Sequence, residues 1–193
     1  MKKILTLCIL LTVSSRAQQV TTIVPIGEPF FESGTYLKDI DNTFLPFIGT
    51  WEGIINNKKY TINLIKFPQH LHNTGTGKYY FRDVIKGGLK VQDLTTNIIL
   101  YDNLFSTIYD DLQIIGLSSP YDRNFRFIFR DTDENCNNSM QFTLQTIVGN
   151  PNQLKYLDFK FTDGRSTFNC PQYQTREQLP RTIPDGIFML TKI

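Results

Sequence analysis

The feature that most constrains the fold is a period-two alternation of apolar and polar residues, which recurs from Gly49 to the end of the chain. Its clearest instance is residues 124–131, where three phenylalanines alternate with Arg126, Ile128 and Arg130. Because successive side chains of a strand point to opposite faces, this segment predicts a β-strand with its rings inward and its guanidinium groups outward. Rings and basic groups on opposite faces do not form a nucleic-acid surface.

Comparable segments predict about eight to ten short strands joined by tight connections, as in a meander. One open sheet of this size would have two exposed edges and an uncovered apolar face. We therefore predict an all-β fold, a single antiparallel meander barrel, with a two-sheet sandwich as the alternative. The predicted strands are residues 49–55, 59–67, 78–92 with a bulge or bend at Gly87-Gly88, 97–101, 112–117, 124–131, a strand through Met140, Phe142 and Leu144, 154–162 with Leu157 on the face of Phe159 and Phe161, and 186–193.

The N-terminus has the three parts of a signal peptide. Two lysines precede an apolar run at residues 4–13, and small residues follow at Ser15 and Ala17. This pattern predicts cleavage after Ala17 and export, to the periplasm or out of the cell. The run is shorter than the roughly 20 apolar residues that span a bilayer, so no stable membrane insertion is expected.

The remaining chain is predicted to hold one barrel domain, residues 45–193, preceded by an extended arm at residues 18–44. The arm has no sustained period, and a short helical turn is expected within it at residues 36–42. Removing Lys2, Lys3 and Arg16 from the 20 basic residues leaves 17 against 18 acidic ones, a formal net charge of −1. This balance does not favour a nucleic acid or an anionic membrane as partner.

Two cysteines remain after cleavage, Cys136 and Cys170, and an even count in an exported chain favours a disulfide. The meander places both at the same end of the barrel, where a bond would close a loop of roughly 35 residues and contribute about 3 to 4 kcal/mol. Two buried free thiols are the alternative.

The first strand opens with Gly49-Thr50-Trp51, after an apolar approach, and the chain ends near Lys192. This opening resembles that of the calycin superfamily, which includes lipocalins and fatty-acid-binding proteins. The resemblance implies that Trp51 plugs one end of the barrel, that Gly49 lets the chain cross beneath it, and that Lys192 lies over the indole. A wider pattern, residues 36–39, 47–53 and 188–192, is similar to small exported Bacteroidota proteins grouped as a domain family of unknown function.

The interior is the main candidate for a binding site. Inward-facing rings either fill a barrel of this size or wall an apolar pocket for a small hydrophobic molecule. The predicted lumen residues are Tyr60, Phe125, Phe127, Phe129, Phe142, Phe159 and Phe161.

The remaining motifs give weaker indications of a metal site or a catalytic site. His70 and His72 fall in a predicted loop, residues 68–77, where a metal would need a third ligand that nothing nearby supplies. Residues 131–142 start like a calcium loop but have Cys136 and Phe142 where an EF-hand has glycine and glutamate. No nucleophile with its base and no separated carboxylate pair is apparent, so no catalytic residue, metal or cofactor is assigned.

Three functional hypotheses follow. The first is a non-catalytic lipocalin-like barrel that binds a small hydrophobic ligand inside. The second is a structural or interaction protein with a filled core, whose partner contacts the loops at residues 68–77 and 102–111. The third is an enzyme that uses His70 or His72 at the barrel mouth.

Overall fold

The structure is a computed structural model, and it describes residues 19–117, 119–130, 139–161, 178 and 181–193. Within these residues there are eleven β-strands and two short 3-10 helices. The strands of the first half are β1 (Thr22–Pro25), β2 (Thr35–Lys38), β3 (Gly49–Ile55), β4 (Lys58–Asn73), β5 (Tyr79–Asp93) and β6 (Ile99–Asp102). The later strands are β7 (Ile114–Gly116), β8 (Asn124–Arg130), β9 (Ser139–Ile147), β10 (Asn150–Phe161) and β11 (Phe188–Lys192), and the 3-10 helices are Leu45–Phe47 and Tyr109–Asp111.

Eight of these strands close into an antiparallel barrel in the order β3, β4, β5, β7, β8, β9, β10, β11. Two strand pairings close the barrel. β5 pairs with β7 at Lys86↔Ile115, and β11 pairs with β3 at Lys192↔Trp51. The predicted all-β meander barrel is therefore confirmed, and a two-sheet sandwich is not what the chain forms.

Strand β5 organises the wall because it is much longer than its neighbour β7. Its whole length pairs with β4 on one side. On the other side it meets three strands in succession: β2 at Phe81 and Arg82, β7 at Lys86 and Gly87, and β6 from Lys90. The two edges of β5 therefore pair with different parts of the chain.

The arm contributes strands to this wall. The helical turn expected at residues 36–42 is wrong, because Thr35–Lys38 pairs in parallel with β5, whose edge would otherwise be open at that point. The helical turn lies later, at Leu45–Phe47, with Pro46 in its first turn. Proline is tolerated there because the first N–H groups of a helix have no intrahelical partner.

The loop expected at residues 68–77 is also wrong, because β4 continues to Asn73. Its register against β5 shifts between Phe67 and His70, and Gln69 has a φ of +51°. Pro68 lacks an N–H, so it fits a bulge, where the ladder of hydrogen bonds is interrupted. No such shift occurs at the expected position, Gly87-Gly88, which pairs in regular register with β4.

A second irregularity lies in β10, where Asp158 has a φ of +58° and the register against β9 shifts between Leu157 and Lys160. The shift exchanges the two faces of the strand. Tyr156 points inward and is fully buried, whereas Leu157 pairs with Thr143 and is half-buried. The sequence alternation placed Leu157 on the face of Phe159 and Phe161, and the bulge corrects that assignment.

Several predictions concern residues outside the described ranges: the signal peptide at residues 1–17, the Cys136–Cys170 disulfide, and the acidic run that begins at Asp131. Among the described residues, no helix is both long enough and apolar enough to span a bilayer.

Candidate functional site

The barrel interior contains a continuous series of contacting aromatic rings, which we call the ring column. Neighbouring centroids are 4.5–6.1 Å apart, and each ring is at most 8% exposed. Aromatic pairs at such distances pack against each other directly. In order, the members are Phe44, Phe125, Phe127, Phe142, Tyr156, Phe188 and Tyr60.

The column contains four of the predicted lumen residues, Tyr60, Phe125, Phe127 and Phe142. Phe129 is buried beside Tyr101, with ring centroids 5.8 Å apart. Phe159 and Phe161 are only half-buried, and the guanidinium carbon of Arg181 lies 5.8 and 5.6 Å from their ring centres. Sequence reasoning missed Phe44, Tyr156 and Phe188 as column members.

Two large polar side chains of the interior, Trp51 and Tyr156, are hydrogen-bonded to backbone carbonyls. The indole Nε1–H of Trp51 donates to the carbonyl of Phe47 at 2.8 Å, and the Tyr156 hydroxyl donates to the carbonyl of Pro184 at 2.8 Å. Burial raises the pKa of the Tyr156 hydroxyl well above its ordinary value. Both of these interior polar groups therefore have partners within the protein, as is usual for buried polar groups.

The residues carried over from the calycin resemblance lie together at one end of the barrel. Trp51 is fully buried, and the Lys192 ammonium lies 5.1 Å from the indole centre. Gly49 has a φ of +124°, and a Cβ there would come within 2.7 Å of the Lys192 Cε. The backbone conformation therefore favours glycine at this position, and a Cβ there would displace the flexible end of the Lys192 side chain.

The same end holds a buried charged cluster, formed by Asp39, Asp83, Lys66 and Tyr36. The Lys66 Nζ lies 2.9 Å from an oxygen of Asp83 and 3.4 Å from one of Asp39. Asp39 also accepts hydrogen bonds from both the N–H and the hydroxyl of Thr43, at 2.7 Å each. This cluster fixes the segment that inserts Phe44 into the barrel, and its network spans 47 residues of sequence between Tyr36 and Asp83.

On the outer face of β4 and β5, the two histidines form part of a second row of rings. His70 stacks on Tyr109 with centroids 3.7 Å apart, and His72 stacks on Tyr80 at 5.0 Å. The two imidazoles meet edge to face at 5.1 Å. Burial lowers the pKa of both histidines, and the neighbouring positive charges of Lys86 and Arg82 lower it further. Within the described part of the chain, no three His, Cys, Asp or Glu side chains assemble as metal ligands.

Next to this row, a notch of about 80 Å³ opens in the wall where β5 diverges from β7. Arg82 and His72 line it, together with Tyr109 from the loop above and Phe44 from the interior. The Nε2 atom of His72 is buried and has no hydrogen-bond partner among the described residues. We call this cavity the outer notch.

A larger groove of about 460 Å³ lies on the outer face of β8, β9 and β10. Its polar walls are partly bonded to each other, since the Gln145 side-chain amide donates to the Asn124 side chain at 3.0 Å. Arg126 lines this groove, on the face opposite to the buried Phe125 and Phe127. The predicted separation of rings and guanidinium groups is confirmed.

Apolar side chains concentrate on the surface between residues 94 and 108. Six large apolar side chains there are 39–75% exposed, and we call them the apolar strip: Leu94, Ile98, Ile99, Leu100, Phe105 and Ile108. Part of the strip lies in the loop at residues 102–111 that the sequence singled out.

The strip is held in place from beneath. Leu104 and Leu112 are 4% and 2% exposed, so they insert into the core on either side of Phe105 and Ile108. The Asn103 side chain accepts from the N–H of Leu89 at 2.7 Å and donates to the carbonyl of Asp111 at 3.2 Å. The exposed apolar side chains are therefore presented by an anchored loop.

Comparison of the chain with protein-family models, with curated protein sequences and with solved structures found no match. The fold is compatible with a lipocalin-like binding protein, and the membership suggested by the Gly49-Thr50-Trp51 opening stays a prediction.

Proposed function

We propose that this chain is an exported, non-catalytic interaction protein, in which a filled lipocalin-like barrel presents the apolar strip to a protein partner. The observation that carries this proposal is the exposure of six large apolar side chains within residues 94–108. Exposed apolar surface costs free energy in water and is typical of sites that another protein covers.

The ring column supports a recognition surface outside the barrel. A small hydrophobic ligand in the interior, the first hypothesis from the sequence, would require rings such as Phe127 and Phe142 to separate from each other. The apolar strip requires no such rearrangement, because its side chains are already accessible. Its anchored loop also reduces the entropy that would be lost on binding.

The test is site-specific photo-crosslinking in the cells that export the protein. A crosslinking residue replaces Phe105 in the strip or, as a control, Ile54, which is 58% exposed on β3. We expect a discrete protein adduct from position 105 and none from position 54. The adduct should disappear in an Ile98→Lys variant, because Ile98 is also 58% exposed and lies in the same strip.

Native mass spectrometry of the mature protein provides the opposing outcome. A small hydrophobic molecule that co-purifies and leaves only on denaturation would overturn the filled-barrel proposal and favour the interior ligand. Equal crosslinking from both positions would also count against it, because the strip would then be no more selective than other exposed apolar residues.

A further inference from the structure

We propose that the outer notch is a binding site for a small oxyanion, the carboxylate or phosphate group of a ligand, held by the Arg82 guanidinium and the Nε2–H of His72. The proposal does not depend on the apolar strip, since the notch lies on another part of the surface and would take different chemistry. It rests on the size of the cavity and on two residues, His72 and Arg82, whose side chains have no hydrogen-bond acceptor among the described residues.

The size of the notch selects the class of ligand. A volume of about 80 Å³ corresponds to about two or three water molecules, given that each occupies roughly 30 Å³ in the liquid. One carboxylate or phosphate group fits such a space, and a lipid chain does not. The apolar wall formed by Phe44, Val84 and Ile115 excludes water from one side and strengthens any polar bond made on the other.

His72 supplies the first donor. Its ring is held from two sides, by the stack on Tyr80 and by the edge of His70, so the direction of its Nε2 atom is fixed. That atom is buried and has no partner in the described part of the chain. In the tautomer that carries its proton on Nε2, this atom is a buried donor without an acceptor, and a bound oxyanion would supply the missing acceptor.

Arg82 supplies the second donor and the charge. It pairs with His70 across β4 and β5, and burial lowers the pKa of its guanidinium. None of the described residues offers it a carboxylate or another hydrogen-bond acceptor. A partly buried guanidinium fork without a counter-charge is well suited to a planar carboxylate or a phosphate.

Among the described residues, the charged groups near the notch besides Arg82 include Lys86, Asp110, Asp111 and Arg130, which act electrostatically on Lys86 or on Tyr109. Lys86 is held by the Tyr109 carbonyl, and its ammonium lies 3.9 Å from the Tyr109 ring centre. The negative charge of Asp110 interacts electrostatically with both His70 and Lys86. Asp83 also lines the notch but is paired with Lys66, so no carboxylate in the described part of the chain forms an ion pair with Arg82.

The test is a titration of the full mature chain with sodium phosphate and, separately, with sodium acetate, at constant ionic strength. The imidazole ¹⁵N and arginine Nε resonances are followed by NMR. We expect saturable shifts at His72 and Arg82. Saturation by phosphate alone, or by acetate alone, would identify the oxyanion class, and both results support the site.

Variants assign the binding to the two donors. Arg82→Gln and His72→Gln should each weaken the affinity by at least about tenfold, because each removes a charge-assisted or buried hydrogen bond. Arg126→Gln, in the groove on β8, should leave it unchanged, and near-UV circular dichroism checks that each variant is folded. Shifts that are absent, or that are linear and equal in the wild type and Arg82→Gln, would overturn the proposal and leave water as the occupant.

Discussion

Asp83 and Arg82 are neighbours on β5, and they illustrate two ways in which a fold can treat a buried charge. Asp83 faces inward, is 1% exposed, and has a partner for each oxygen. Arg82 faces outward into the notch, where no acceptor among the described residues reaches its guanidinium. The donors to Asp83 are the Tyr36 hydroxyl, the N–H groups of Asp39 and Gln69 at 3.1 Å each, and Lys66 at 2.9 Å.

The difference separates groups that hold the fold from groups that remain available for binding. Among the described residues, the buried side-chain atoms without a hydrogen-bond partner are His72 Nε2 and Gln113 Oε1. Neither belongs to the ring column or to the cluster around Asp83. Since buried polar groups in native proteins are nearly always paired, an unpaired donor next to a cavity indicates a ligand more strongly than a paired one does.

The largest effect is expected inside the barrel, at Trp51, which is fully buried and hydrogen-bonded. Trp51→Ala removes a fully buried indole and its hydrogen bond to Phe47, and it should lower the free energy of unfolding by about 3 to 5 kcal/mol. Urea unfolding measures this loss. Ile54→Ala, at a 58% exposed position on the same strand, should change it by less than about 0.5 kcal/mol. A loss below about 1 kcal/mol for Trp51→Ala would contradict its role as the plug.

The next largest loss of stability is expected at Asp83, whose buried carboxylate is paired. Asp83→Ala leaves the Lys66 ammonium, the Tyr36 hydroxyl and two N–H groups without their acceptor, and it should cost about 3 kcal/mol. The matched control is Glu52→Ala, which breaks an ion pair with Lys59 whose two side chains are each 32% exposed. That change should cost less than about 1 kcal/mol. Equal costs in urea unfolding would show that burial does not distinguish the two pairs.

The strands that the sequence predicted well are those without irregularities. β8 pairs with β9 in one unbroken register from Asn124 to Arg130, so its alternation gave both faces correctly. In β4 and β10, a bulge exchanges the faces partway along, at Gln69 and Asp158. Both residues have positive φ without being glycine; glutamine gives no indication of a left-handed conformation, and aspartate gives only a weak one.

The candidate sites depend on contacts that are distant in sequence. Gly49 and Trp51 form a short motif and were found with Lys192, whereas the Asp39–Asp83 contact joins residues 44 positions apart. The histidines were assigned to a loop, so their position across from Tyr80 and Arg82 was not foreseen. The sequence does contain a signal for this arrangement. Aromatic and basic residues occupy alternate positions in both segments, at His70 and His72 and at Tyr80 and Arg82. This pattern predicts that they share one outer face once the two strands are paired.

A pH titration should show separate steps for the outer and inner faces. Burial, together with the charges of His70 and Arg82, lowers the pKa of His72 below 6.5, so the stability it contributes is present above pH 6.5 and lost as the pH falls through its folded value. Burial alone would raise the pKa of Asp83, but the hydrogen bonds from Tyr36 and Lys66 outweigh it and lower that pKa below 3.8. Its contribution is therefore present above pH 3.8 and lost as the pH falls further.

The measurement is the urea midpoint from pH 7.5 to 2.5. His72→Gln should weaken the first step and leave the second, while Asp83→Asn should do the reverse. If an oxyanion binds at the notch, the stability lost in the first step should be smaller in phosphate than without it. The reason is that a bound anion favours the protonated imidazole. A flat midpoint between pH 7.5 and 5.5 would show that the histidines are not coupled to folding.

The smallest effect on stability is expected at Arg82, and it is the sharpest test of the comparison. Arg82→Met keeps most of the apolar stem and removes a charge that has no partner in the described structure, so unfolding should change by less than about 1 kcal/mol, in either direction. The same substitution should abolish the phosphate- or acetate-dependent rise in the urea midpoint that we expect for the wild type. A loss of several kcal/mol in ligand-free buffer would mean that Arg82, like Asp83, holds the fold, and the distinction between the two faces of β5 would not stand.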